Sequence, residues 1–235
     1  MASGRLYGLG LGPGDPELVT LKALRLIRAA PVVAYPAPEH GASFARAIVA
    51  NWLSPATREI AIRFPMRPGP PPAAIYDEAA SRLAASLDTG DDVAYLCQGD
   101  PLFYGSFAGL LTRLAARYEV SVVPGVSSLT TCAAAAGMPL VGRDATISVI
   151  PASLPAAELA RHLAAADAAG GAAAVIKLGR HFTKLRQVLV ELGLTDRAIY
   201  VERASLPNQR IAPLAAVAPE GVPYFAMALL PGRDS

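Results

Sequence analysis

A chain of 235 residues, 53% hydrophobic and 17% charged, is long enough for one large or two small domains and has the apolar material for a packed core. Its formal charge of +2 is too near neutral to mark a nucleic-acid-binding protein by itself. The two cysteines, Cys97 and Cys132, form neither a disulfide framework nor a zinc pattern and fit a reducing compartment.

In chain order, the start MASGRLYG lacks the apolar stretch of a signal peptide. Arg5 to Leu11 reads as a short strand. Pro16 stands where a first helical turn tolerates proline, and residues 17–30 carry Leu18, Leu21, Leu24 and Leu26/Ile27 at a helical period. Residues 31–38, PVVAYPAP, read as a second strand stopped by its prolines. Residues 43–53 form a helix that Ser43 can cap, and 57–64 a third strand. A proline-rich loop leads into a helix near Ala73 to Leu87. Residues 91–101 are a fourth strand ending in a sharp turn, 106–118 the helix after it, and 119–128 a fifth strand with a turn.

The uncharged run 120–142 is long enough to span a bilayer. Pro124-Gly125 and Gly137-Met138-Pro139 interrupt it, so it reads as a buried strand, a turn and a helix of small residues. After Pro139 come a strand at 145–153, a helix at 155–168, strands at 171–179 and 197–205 around a helix at 181–193, and a last strand at 223–230. Strand and helix alternate through the first half, which argues for a parallel α/β sheet. The domain boundary is placed at Val123-Pro124, giving domains 1–123 and 124–235, with no repeat of fixed period. His40, His162 and His181 are scattered, without an i,i+4 pair or an acid at ligand spacing, and no metal site is read from them.

In open α/β sheets ligands bind beyond the carboxyl ends of the strands. Three turns stand out there: GLGPGD (Gly10 to Asp15), CQGDPLFYGS (Cys97 to Ser106) and VVPGVSS (Val122 to Ser128). Each places Gly, Pro, Asp or Ser where backbone can approach a ligand. The first is no dinucleotide fingerprint: G-x-G-x-x-G begun at Gly8 meets Pro13, and begun at Gly10 meets Asp15. No P-loop is present. Gly8, Gly10 and Gly12 give G-x-G-x-G, as in the common S-adenosylmethionine enzymes, but no acid follows the second strand until Glu39. Asp100 can cap its own turn, and Phe103 and Tyr104 can be core.

In this order and combination, GLGPGD, GDPLFYGS and PGVSSLTTCAAAAGMPL resemble the marks of the tetrapyrrole (corrin/porphyrin) methylases, a likeness running from Leu6 to Leu230. The later pieces AVIKLGRHFTKLRQVL, VERASLPNQRI and PYFAMALL resemble the members that methylate carbon 20 of precorrin-2 in cobalamin biosynthesis. The resemblance implies a homodimer of two-domain α/β chains; the cytoplasm is expected from the reducing-compartment cysteines and the start without a signal peptide. Each chain would have a mostly parallel N-terminal sheet and a mixed C-terminal one, with S-adenosylmethionine in the cleft between domains. It assigns cofactor contacts to Pro13, Gln98, Gly99, Asp100, Phe103, Ser127, Ser128, Leu178 and Ala204. Uroporphyrinogen methylases of the family carry an acid where this chain has Pro36 and a Lys where it offers Arg63 or Arg67, so their acid/base pair does not transfer.

A sulfonium methyl is already an activated electrophile, and transfer needs an in-line approach of roughly 3–3.5 Å with water excluded. No catalytic base is identified, and Tyr104 is the one candidate for orienting substrate. A precorrin carries many acetate and propionate groups, which Arg forks suit. Arg63, Arg67, Arg143, Arg180, Arg203 and Arg210 lie in loops or at strand ends where a trough can form, with the loop Pro65 to Pro72 as a lid. The alternatives are the cobalt-containing substrate of the anaerobic route, diphthine or ribosomal RNA methylation on the same fold, a non-catalytic tetrapyrrole carrier, and an ordinary Rossmann methyltransferase. No nucleic-acid or membrane partner is expected.

Overall fold

Leu6–Gly10 (β1), Val32–Pro38 (β2), Arg58–Phe64 (β3), Val93–Cys97 (β4) and Val120–Val123 (β5) pair in parallel as one sheet, in the order β3-β2-β4-β1-β5. The computed structural model to which they belong describes residues 2–65, 69 and 71–232. The central strand β4 reads VAYLC and is buried throughout, as a parallel strand covered on both faces must be. Its alternate side chains enter two different cores. Val93, Tyr95 and Cys97 join Leu83 and Leu87 of α3 (Ala73–Asp88) and Phe107 and Leu110 of α4 (Phe107–Leu114). Ala94 and Leu96 join Ile27 of α1 (Leu21–Ala29) and Ala45 and Ile48 of α2 (Phe44–Ile48).

One local expectation differs from the structure. The single helix over 17–30 is broken: Pro16–Leu18 is a 3-10 turn, Val19 is extended, and α1 starts anew with Thr20 Oγ1 accepting from Ala23 N at 3.2 Å. Leu21, one of the periodic apolar positions, is 85% exposed, because the restart turns Ala23 and Ile27 inward instead. Strand β2 ends at Pro38, within the 31–38 expected from the sequence, and runs through Pro36 against β3. Its pairing with β4 ends at Ala34↔Tyr95, so beyond that point β2 has a partner on one side only and a missing N–H is tolerated.

The chain divides into Met1–Ser127 and Ser128–Ser235, where the sequence places the boundary at 123/124. Residues 124–127 group with the first unit, where Gly125 N is bonded to the Asp100 carboxylate. The second unit has the mixed sheet β6-β7-β10-β8-β9, from Ile147–Pro151 (β6), Ala172–Ile176 (β7), Ile199–Glu202 (β8), Arg210–Pro213 (β9) and Ala226–Leu230 (β10). β6 and β7 are parallel; β10 runs antiparallel to both β7 and β8, and β9 antiparallel to β8.

Alternation again sorts the strands of the second unit. Val175, Tyr200 and Ala228 pack with Leu159 and Leu163 of α6 (Ala156–Ala168) and Phe182 and Leu185 of α7 (Phe182–Glu191). Ala174, Val201 and Met227 pack with Cys132 of α5 (Ser128–Ala135). Strand β9 was not foreseen; it is a sheet edge whose residues are largely exposed, so it carries no apolar alternation. Among the described residues no helix is long and apolar enough to cross a membrane.

Candidate functional site

The strand order of the first unit puts β4, β1 and β5 side by side and pointing the same way. The three glycine-rich turns that leave them therefore lie together at one sheet edge, and their backbones interlock. Gly99 N donates to Gly12 O at 2.7 Å and Gly12 N to Gly99 O at 3.2 Å, joining the first and second turns as a short antiparallel bridge. Asp100 joins the second to the third: one carboxylate oxygen accepts from Leu102 N at 2.9 Å, the other from Gly125 N at 3.0 Å. The first bond is the local cap foreseen from the sequence; the second ties together turns 25 residues apart.

This approach demands glycine at two positions for lack of room. A Cβ on Gly10 would lie 2.4 Å from Gly125 N, and one on Gly125 would lie 2.0 Å from Gly99 O. Gly99 is different. Its φ is +69°, the left-handed region that glycine enters freely, and the direction of a Cβ there is open for 4 Å. The backbone at Gly99 thus borders free space, as a backbone that contacts a ligand must. Pro13 is buried in the first turn, and Asp15 caps the following 3-10 turn by accepting from Glu17 N at 2.9 Å.

Phe103 and Tyr104 are not core residues. They are 40% and 49% exposed, packed edge to face at 5.0 Å, with Leu102 also exposed beside them. Tyr104 has a φ of +55°, a backbone cost of order 1–3 kcal/mol that surrounding contacts must offset. Gly105 sits tight against Pro101 O, and Ser106 Oγ pairs with the buried Tyr95 hydroxyl at 2.8 Å, which closes the base of this loop. Cys97, at the end of β4, lies beneath the same turn; burial first, and then the Asp100 charge, pushes its thiol pKa up. Gln98 and Ser127 are half-buried in the second and third turns.

In the second unit, β7 and β8 run the same way because each is antiparallel to β10. Their carboxyl ends, Lys177-Leu178-Gly179 and Arg203-Ala204-Ser205, share one edge of that sheet. Lys177, Arg203 and Ser205 all have left-handed φ, at +61°, +51° and +72°. With Tyr104 they are the non-glycine residues of this kind among the described residues, and all four follow strand ends. Leu178 is fully buried, and Gly179 N donates to Pro223 O at 3.2 Å. Burial lowers the pKa of the Lys177 ammonium. Ala204 puts its side chain into the core around Cys132, and Ser128 is exposed at the start of α5.

The arginines named from the sequence are placed variously. Arg63 binds the carbonyls of Pro38 and Glu39, at 2.9 and 3.3 Å. Arg203 pairs with Glu202 at 3.0 Å, Arg210 lies 5.9 Å from the Tyr200 ring centroid, and Arg180 donates to His181 at 3.4 Å. Arg143 is exposed in a turn. Arg67, and half of the loop read as a lid, lie outside the described residues. Of the five described arginines, the structure brings Arg203 and Arg210 into one local group. The sequence reading missed Leu102, Glu202 and the left-handed Lys177 and Ser205; only the Gly99…Gly105 bracket around Leu102 signalled a loop that presents its tip. Among the described residues no group of three His, Cys, Asp or Glu is placed to hold a metal ion.

The sequence profile of the tetrapyrrole (corrin/porphyrin) methylases matches residues 5–218 of this chain. The chain is 47% identical over 240 residues to the cobalamin biosynthesis protein CobIJ of Mycobacterium tuberculosis, covering 98% of this chain and 46% of that protein. It thus spans about half the length of the first curated relatives it matches. It is 40% identical over 238 residues to the precorrin-2 C(20)-methyltransferase of a Sinorhizobium species, covering 97% of this chain and 96% of that one. A solved structure of the uroporphyrin-III C-methyl transferase of Thermus thermophilus, complexed with S-adenyl homocysteine, is similar with a TM-score of 0.71 and 28% identity over 97% of each chain.

Proposed function

The chain belongs to the tetrapyrrole (corrin/porphyrin) methylases, and on that premise we propose that it is an S-adenosylmethionine-dependent C-methyltransferase acting on carbon 20 of precorrin-2 in cobalamin biosynthesis. The observation that carries the reading is its 40% identity, end to end, with a relative named for that reaction. The turns of the first unit support the cofactor half: the Gly99 backbone borders open space and is bonded to Gly12, while the Asp100 carboxylate ties the same turn to Gly125.

Pro13, Gln98, Gly99, Asp100, Phe103 and Ser127 in the first unit, and Ser128, Leu178 and Ala204 in the second, are the proposed cofactor contacts. S-adenosylmethionine, when bound, supplies an electrophilic methyl group on sulfur. The chain's own work is then to hold and to orient. Glycine turns offer N–H and C=O groups without side chains in the way. Asp100 keeps two of those turns rigid, so little ordering cost remains for binding. Phe103 offers an apolar face, and Tyr104 orients the substrate. Arg63, Arg143, Arg180, Arg203 and Arg210, with Arg67 outside the described residues, are proposed to receive substrate carboxylates as charge-assisted pairs. The protein is further proposed to work as a homodimer in the cytoplasm, which light scattering and fractionation test.

The decisive experiment is anaerobic incubation with precorrin-2 and methyl-labelled S-adenosylmethionine, read by mass spectrometry and carbon NMR, with cobalt-factor II in parallel. Label at carbon 20 of the metal-free substrate alone is the expected outcome. Label on the cobalt compound alone would assign the chain to the anaerobic route. Transfer to neither, with the cofactor bound, would overturn the substrate.

A further inference from the structure

Glu202 ends β8 as a buried carboxylate, 8% exposed. Both its oxygens are occupied: one accepts from the hydroxyl of the fully buried Tyr200, the other from Arg203 Nη1 at 3.0 Å. Tyr200 is in turn fixed edge to face on Phe182 at 5.8 Å, with Arg210 near its ring. Burial, and then the bond to Glu202, raises the pKa of the Tyr200 hydroxyl, so it stays a donor.

The contact between Glu202 and Arg203 joins neighbours in sequence. In an extended strand such side chains leave opposite faces and do not meet. They meet here because Arg203 is left-handed, at φ +51°, a conformation unfavourable for any residue with a Cβ. The ion pair and the turn therefore require each other.

The far side of the same loop is also tied. Gln209 Oε1 accepts from Ser205 N at 2.9 Å, Leu206 N donates to Arg203 O at 3.0 Å, and Gln209 N to Leu206 O at 3.0 Å. Between these two anchors lies Ala204, whose methyl is committed to the core, so the peptide groups are what it can offer a ligand.

We propose that Glu202 and Gln209 are positioning residues for cofactor binding, holding Arg203-Ala204-Ser205 in the conformation that presents the Ala204 backbone. This rests on the reading of Ala204 as a cofactor contact. Glu202 acts through Arg203, and Gln209 through Ser205.

The test is calorimetric binding of S-adenosylhomocysteine to the full chain, with steady-state kinetics at varied S-adenosylmethionine. Gln209→Ala, on an exposed residue, and Glu202→Gln are each expected to weaken binding roughly tenfold, raising KM while kcat at saturation stays close to wild type. Arg203→Gly enters the left-handed region without strain, so adding it to Glu202→Gln should recover most of the affinity, whereas adding Arg203→Ala should not. Wild-type affinity in both single variants, or equal affinity in the Gly and Ala double variants, would overturn the proposal. If the unsubstituted protein itself binds no S-adenosylhomocysteine, it is the cofactor reading that fails.

Discussion

At the residue scale, glycine serves two separable ends in these turns. Gly125 is a matter of space. Gly125→Ala puts a methyl 2.0 Å from Gly99 O, and should cost at least ~1–3 kcal/mol in urea unfolding while removing cofactor binding. Gly99 is a matter of backbone conformation. Gly99→Ala meets nothing within 4 Å and should cost only ~1–2 kcal/mol for its φ of +69°, so it should fold. If the two variants lose equal stability, the backbone interlock is not what holds the turns.

Asp100 sharpens the same point. Asn in its place keeps one acceptor and turns an amide N–H against a backbone N–H. Asp100→Asn should therefore cost about 1–3 kcal/mol and weaken cofactor binding. The sequence could suggest Asp100 as a turn cap because Leu102 is two residues away. Its bond to Gly125 had no such signal, since only the folded sheet brings β4 beside β1 and β5.

At the element scale, local chemistry placed most boundaries within a few residues and misjudged continuity. Ser43 caps α2 as expected, accepting from Arg46 N at 3.2 Å, and also donates to Pro36 O at 2.6 Å. Ser43→Ala should thus cost about 1–2 kcal/mol, at the upper end for a cap, and should be visible as a lowered urea midpoint. The end of β2 at Pro38 was legible from its prolines, but why Pro36 is tolerated inside the strand was not. Whether a missing N–H matters depends on whether a neighbouring strand is still there to accept it. Strand β9 went unseen for the complementary reason: an exposed edge has no apolar side to announce it.

At the scale of the whole molecule, both thiols are buried in hydrophobic clusters, one in each unit. Burial pushes the Cys132 thiol up to about 12 from an ordinary 9.0, and pushes Cys97 up as well. A raised folded-state pKa means that the native state holds its proton more tightly than the unfolded chain does. Stability from these groups is complete below about pH 9 and is lost as pH rises toward the folded values. The urea midpoint should therefore fall between about pH 8 and pH 10.5, and the fall should shrink in Cys132→Ala. A thiol reagent at about pH 8 should label neither cysteine in the native protein and both in urea.

What the sequence by itself determined is local: the alternation of strands and helices, the three glycine turns at strand ends, and the motif combination that marks the family. Periodicity, capping and turn preference act over a few residues, so they are written in neighbouring letters. The tertiary structure alone decided which strand ends became neighbours, and hence that Gly10, Gly99 and Gly125 touch. It also decided that Lys177, Arg203 and Ser205 would be left-handed, and that Glu202 would be buried with both oxygens engaged. Those are properties of pairing between distant segments and of the low-dielectric interior it creates, which no short stretch of the chain contains.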